Sequence, residues 1–155
     1  MAVLWKSPAG RSLKRKVGRC EMKKVIIYTD GAARNNPGPA GIGVLVTDSS
    51  GRVLSQVSRY IGETTNNVAE YIALIQGLLE AAFLGAVEVE AFCDSELMVK
   101  QLQGLYRVKN EKLQPLYTLV RLSLDRFEKF TISHISREKN KAADRLANAG
   151  IDRRV

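Results

Sequence analysis

The stretch Val25-Ile26-Ile27-Tyr28-Thr29-Asp30-Gly31 decides the fold. Its β-branched and aromatic run reads as a buried strand over residues 23–29, ending in a carboxylate followed by glycine. Downstream, residues 41–47 and 53–61 flank Asp48-Ser49-Ser50-Gly51, a hairpin signal. Residues 66–84 are helical, with Thr65 or Asn66 as the cap. Between Glu70 and Glu80 only Gln76 interrupts the apolar and aromatic side chains, as expected of a helix packed on two sides. Strands follow at 87–93 and 129–134, and helices at 95–102, 111–127 and 140–151, with Pro115 early in the second of these and Asn140 a candidate cap for the last. A hairpin followed by β-α-β-α-β predicts an α/β domain. Its five-stranded mixed sheet is antiparallel through the first three strands and parallel afterwards, with helices on both faces.

A chain of 155 residues fits one domain that buries roughly two-thirds of its unfolded surface. The nearest approach to a membrane span is the short apolar run 71–79, so no membrane partner is expected. Residues 1–24 hold eight Lys and Arg against Glu21 alone, so most of the net charge of +8 belongs to the arm. Residues 1–22 lack apolar periodicity and are expected to form a basic arm without structure, followed by a domain at 23–152 and a tail at 153–155. Met22 would be a natural start for that domain. The arm has no secretory h-region, which favours a cytoplasmic location while leaving organelle targeting open. Cys20 and Cys93 lack CxxC spacing and read as free thiols. With His134 the only histidine, a zinc site is excluded in practice.

Four acids stand where strands end or helices begin: Asp30, Glu70, Asp94 and Asp144. Taken singly they suit turns, caps and first helical turns. Right-handed crossovers, however, set the strands before Asp30 and Asp94 parallel, most simply as neighbours, so both carboxylates leave the same sheet edge. Glu70 belongs to the helix that feeds the second of these strands. Apart from Lys23 and Lys24 at the far end of the first, neither strand supplies a Lys or Arg to neutralise the cluster from within. Converging carboxylates without a cation would repel one another and raise a pKa. A hard divalent ion resolves the conflict: Mg²⁺ takes oxygen ligands, and a pair of ions about 4 Å apart serves in-line displacement at phosphorus. No Ser/His/Asp triad, GxGxxG or GxxxxGK[ST] competes with that reading.

The run Tyr28-Thr29-Asp30-Gly31-Ala32-Ala33-Arg34-Asn35-Asn36-Pro37-Gly38-Pro39 with Gly41-Ile42-Gly43 resembles the opening of type 1 ribonucleases H. So do Thr64-Thr65-Asn66-Asn67-Val68-Ala69-Glu70, Asp94-Ser95, and Asn140 four residues before Asp144. The resemblance covers about residues 22–152 and implies a ribonuclease H-like fold. It also implies endonucleolytic hydrolysis of the RNA strand of RNA–DNA hybrids with two Mg²⁺, or with Mn²⁺, leaving 5′-phosphate and 3′-hydroxyl ends. By position, Asp30, Glu70 and Asp94 look like metal ligands, and Asp144 like the fourth carboxylate near the second metal and the attacking water. Asn36, Asn66 and Asn67 correspond to minor-groove residues, and Thr65 to a hydroxyl on a DNA-strand phosphate. Amides suit that work because they can donate and accept at base edges and at the 2′-hydroxyl.

The segment 133–140 resembles the shorter version found in archaeal and some bacterial members. There Arg137 takes the helper position near the metals, with His134 as the alternative. The basic handle of other members is missing after residue 103, which leaves Arg107, Lys109, Lys112 and the arm to grip the substrate. Glu96 departs from the glutamine common at its position. Rival readings are another nuclease of this fold (resolvase or exonuclease type) and a catalytically silent hybrid-binding module. The chain is expected to act as a monomer without an obligatory protein partner. If the arm contributes charge, deleting residues 1–21 will weaken hybrid binding and flatten its salt dependence, leaving the chemical step intact. An unchanged slope of log affinity against log salt would dismiss the arm as a binding element.

Overall fold

The computed structural model describes residues 3–6 and 24–154. Its strands are β1 (Val3–Lys6), β2 (Lys24–Ala33), β3 (Gly38–Thr47), β4 (Val53–Thr64), β5 (Glu88–Cys93) and β6 (Lys129–His134). Its helices are α1 (Asn66–Phe83), α2 (Glu96–Leu102), α3 (Gln114–Leu124) and α4 (Lys141–Arg153), with one 3-10 turn at Arg137–Lys139 before α4. The sheet order is β1-β6-β5-β2-β3-β4. β2, β3 and β4 form the antiparallel meander, and β2, β5 and β6 run parallel.

The five expected strands are all present. A sixth comes from inside the span expected to be an unstructured arm: Val3–Lys6 pairs antiparallel with β6, Val3 opposite Ile132 and Lys6 opposite Lys129. The outer edge of β6 would otherwise expose unpaired backbone groups, and a short apolar segment of the same chain covers it. The rest of the arm, including Cys20, lies outside the described residues. At the other terminus α4 runs to Arg153, one residue into the expected tail.

β2 does not end at Thr29. It continues to Ala33, opposite Ala40 of β3, whereas its pairing with β5 stops at Thr29–Cys93. The two parallel strands therefore part just before Asp30 and Asp94, and the sheet opens a notch on that side of β2.

α1 packs on the face of the sheet where Val25, Ile27, Val44, Val46 and Val89 meet Leu74, Leu78 and Ala81. α3 covers the other side of α1, contributing Val120 and Leu124 to the same core. The Tyr71 hydroxyl donates to Gln101 Oε1 at 2.7 Å within this layer, tying α1 to α2. The two-sided packing inferred from composition holds for most of α1, but Leu79 and Phe83 face solvent. Thr65, rather than Asn66, caps the helix, accepting from the Val68 N–H at 3.3 Å.

α4 lies on the opposite face, where glycines let its backbone come close. A Cβ on Gly43 would stand 2.1 Å from the Ala143 carbonyl oxygen, and one on Gly41 2.5 Å from that of Ala147. Substituting alanine for Gly43 therefore has to push α4 off β3. Overpacking of this kind costs about 1–3 kcal/mol, and a thermal melt of Gly43→Ala will show a midpoint roughly 2–12 °C lower. An unshifted midpoint would mean that α4 is not held at contact distance.

Candidate active site

Three chain segments deliver the carboxylates. Asp30 stands in β2 one residue beyond the last pair with β5, and Asp94 directly follows the end of β5, so the parting strands leave both on one notch. Ser95, not Asp94, caps α2, its hydroxyl oxygen accepting from the Met98 N–H at 3.3 Å. Gly31 then brings α1 over the notch: a Cβ there would meet the Ala69 carbonyl carbon at 2.1 Å and the Glu70 nitrogen at 2.3 Å. With no side chain between them, the second turn of α1 presses on β2 and Glu70 joins the two aspartates. One carboxylate oxygen from each of Asp30, Glu70 and Asp94 lies within 4.8 Å of the others.

Asp144 arrives from the other face, in the first turn of α4, where its N–H donates to the Asn140 carbonyl at 3.1 Å. Asn148 Nδ2 donates to Asp144 Oδ1 at 3.2 Å and steadies the carboxylate. Asp144 stands outside the tight trio, yet its charge is felt at Asp30.

Asp30 and Glu70 are buried, 4% and 8% exposed, and Asp94 is half-buried with its side chain 8% exposed. Burial first, then the charges of Asp94 and Asp144, push the Asp30 carboxyl up to about 7. Burial, then Asp30 and Asp94, hold Glu70 well above the usual carboxylate range. Glu70 Oε2 and Asp94 Oδ2 are buried without a hydrogen-bond partner. Arg137 Nε stands 3.8 Å from Asp94 Oδ2, an ion pair too long for a hydrogen bond, and its side chain is 84% exposed. Such a contact leaves most of the negative charge uncompensated. Convergent, partnerless carboxylate oxygens in a buried notch fit a hard divalent cation.

Arg137 thus reaches the cluster from the 3-10 turn. His134 is the last residue of β6, opposite Cys93; it is exposed, and Glu96 at the start of α2 feels its charge. Beside the notch the asparagines form a clamp. The Asn66 N–H donates to Asn36 Oδ1 at 3.0 Å, and the Ala33 N–H donates to Asn66 Oδ1 at 2.8 Å. The β2–β3 loop is so tied to the start of α1, with Thr65 at the cap and Asn67 exposed alongside. Arg107 and Lys109 do not join this group. They are exposed in the segment between α2 and α3, where Arg107 borders an open cleft of about 610 Å³ with Tyr106 and Tyr117.

Asn140 stands at the N-cap of α4, as expected, but its side chain makes no capping bond. It is 1% exposed, and its Nδ2 donates to the Thr29 carbonyl at 2.9 Å. Its place four residues before Asp144 was visible in sequence, but a bond spanning 111 residues was not.

Residues 28–150 match the family described as Reverse transcriptase-like. The bifunctional protein Rv2228c of Mycobacterium tuberculosis is 43% identical over 130 residues, which are 83% of this chain and 36% of that protein. RNase H1 of the halophilic archaeon Halobacterium salinarum superposes with a TM-score of 0.82 at 38% identity, over 84% of this chain and 98% of that one. LC11-RNase H1, solved in complex with an RNA/DNA hybrid, gives 0.80 at 49% identity over 83% and 97%. The chain belongs to the ribonuclease H family. It spans only about a third of the length of the mycobacterial relative, whereas the ribonuclease H1 structures are matched almost end to end.

For a ribonuclease H domain with this notch, the elevated carboxyls are a liability to the metal-free protein. Asp30 has a folded pKa above its ordinary 3.8. Its contribution to stability is therefore full below about pH 4 and lost as pH rises through about 7. Asp30→Asn removes that loss. In chelator, the variant will melt above the unmodified protein at pH 8, by roughly 3–6 °C, with the gap closing toward pH 4. A gap independent of pH would show that the carboxyls do not repel as placed.

Proposed function

We propose that this chain is an endoribonuclease that hydrolyses the RNA strand of RNA–DNA hybrids, leaving 5′-phosphate and 3′-hydroxyl ends. The observation that carries this reading is the buried trio of Asp30, Glu70 and Asp94, with partnerless oxygens, beside an amide clamp exposed on the same edge. The hybrid bound by LC11-RNase H1 supports the choice of substrate. Among the described residues no helix is long and apolar enough to cross a membrane, and all four acids come from one fold, in keeping with a monomer working in the cytoplasm.

Asp30, Glu70 and Asp94 would hold Mg²⁺, with Mn²⁺ as a substitute, and Asp144 would complete the site on the α4 side. Two such ions, when bound, activate a water and stabilise the leaving oxygen of an in-line displacement. The protein's own groups do the rest. Asp144, steadied by Asn148, orients the attacking water at the outer side of the notch. Arg137, exposed and already drawn to Asp94, meets the negative charge of the scissile phosphate. Asn36, Asn66 and Asn67 hold the minor groove and sense the 2′-hydroxyl, which marks the strand to be cut. The Thr65 oxygen is taken by the helix cap, so its hydroxyl proton is available to a DNA-strand phosphate. Arg107 and Lys109, further along the surface, add backbone contacts that position the duplex without reading it.

A digestion panel of hybrid, double-stranded RNA and double-stranded DNA with Mg²⁺ tests the reading. The hybrid alone is to be cut, within its RNA strand, and Asp94→Asn will lower the rate at least about 1000-fold. Arg137→Ala is expected to lose about 10- to 100-fold in kcat at saturating metal, and His134→Ala much less. Metal-independent products, or none from any hybrid, would overturn the proposal.

A further inference from the structure

We infer that Asn140 is a positioning residue that sets the distance between Asp30 and Asp144, and with it the affinity of the notch for divalent metal. The inference rests on the metal-site reading above. Its starting point is a buried amide that is only half satisfied. Asn140 is 1% exposed, its Nδ2 donates to the Thr29 carbonyl at 2.9 Å, and its Oδ1 is buried with no protein partner. Leaving a buried acceptor unpaired opposes folding, so an asparagine here is costly as a mere filler of core.

Its two polar links run in opposite directions. The side chain holds the carbonyl of Thr29, the residue that immediately precedes Asp30 and forms the last pair between β2 and β5. The backbone carbonyl of Asn140 accepts from the Asp144 N–H at 3.1 Å, the bond that opens α4. A single residue thus joins the peptide unit that sets Asp30 to the helical turn that sets Asp144. The other anchors of α4 lie away from the notch: Gly41 and Gly43 set its approach to β3, and the Ser58 hydroxyl of β4 donates to the Leu146 carbonyl at 2.6 Å. The Asn140 bond is made to β2 itself, at the residue before Asp30, and so ties the start of α4 to the notch directly. It also joins the 3-10 turn carrying Arg137, which Asn140 terminates through its N–H to the Arg137 carbonyl at 3.0 Å.

The test compares metal binding with fold stability. Asn140→Ala removes the amide, and Asn140→Leu keeps its bulk without a donor, so one remains informative if the other fails to fold. Ile151→Val, in α4 and away from the notch, serves as the control for simple destabilisation. For each protein the Mn²⁺ concentration that half-saturates the rise in melting temperature is measured, alongside kcat and KM on a hybrid. Both Asn140 variants are expected to need at least about tenfold more Mn²⁺. Their kcat will fall at moderate metal while KM for the hybrid holds, because the groove contacts lie elsewhere. Ile151→Val should lower the melting temperature with the Mn²⁺ midpoint unmoved. If the Asn140 variants lose stability but keep the wild-type midpoint, Asn140 is structural only and the inference falls alone. If the unmodified protein shows no response to Mn²⁺ or Mg²⁺, the metal-site reading falls and takes this inference with it.

Discussion

Three carboxylates held together out of water repel one another, and the fold of this chain is arranged around that repulsion. Hydrophobic burial cannot favour such a cluster, and Arg137, the cation paired with Asp94, is exposed and loosely held. The groups must therefore be fixed by backbone, since side chains free to choose would turn away. The parting of β2 from β5, the pressure of α1 on Gly31 and the seating of α4 on Gly41 and Gly43 are three independent ways of denying the acids that choice. Burial first, and that repulsion with it, hold the Asp30 and Glu70 carboxyls above the usual carboxylate range, a cost that a bound cation would relieve.

The seating of α1 and α4 depends on close backbone approach. Helices that meet a sheet through large side chains sit at the usual layer spacing, and their carboxylates would stand too far apart to share ions. Removing side chains from β2 and β3 at the contact points draws both helices inward, and the two faces of the sheet can then contribute to one notch. Gly150 repeats the device on α4 against the Arg59 backbone of β4. The cost is tolerance: no residue larger than glycine fits at these positions without moving a helix.

Element types and order were legible in the sequence because strand and helix periods and turn signals are local. The neighbouring of the strands before Asp30 and Asp94 followed from the handedness of crossovers, and the trio followed from that neighbouring. Three things were not legible. β1 went unread because four residues inside a basic segment carry too little pattern to stand out, and their pairing depends on an edge that exists only after folding. The role of Asn140 was hidden for a related reason: the residue before a helix suggests a cap, and only the folded chain brings the Thr29 carbonyl within reach. The extension of β2 past Asp30 likewise depends on β3, whose residues Ala40 to Gly43 continue the ladder after β5 has left it.

The clamp between Asn36 and Asn66 has a consequence for what the groove can tell apart. Each amide spends its oxygen on a backbone N–H, which fixes its orientation, and among the described residues neither –NH₂ has a partner. The clamp itself therefore offers a duplex donors alone. In the minor groove every base pair offers purine N3 and pyrimidine O2 as acceptors in similar places, while G·C adds the guanine amino donor, which a donor cannot engage. On the proposed function, the clamp would engage acceptors common to all base pairs and leave the guanine amino group as the feature it disfavours.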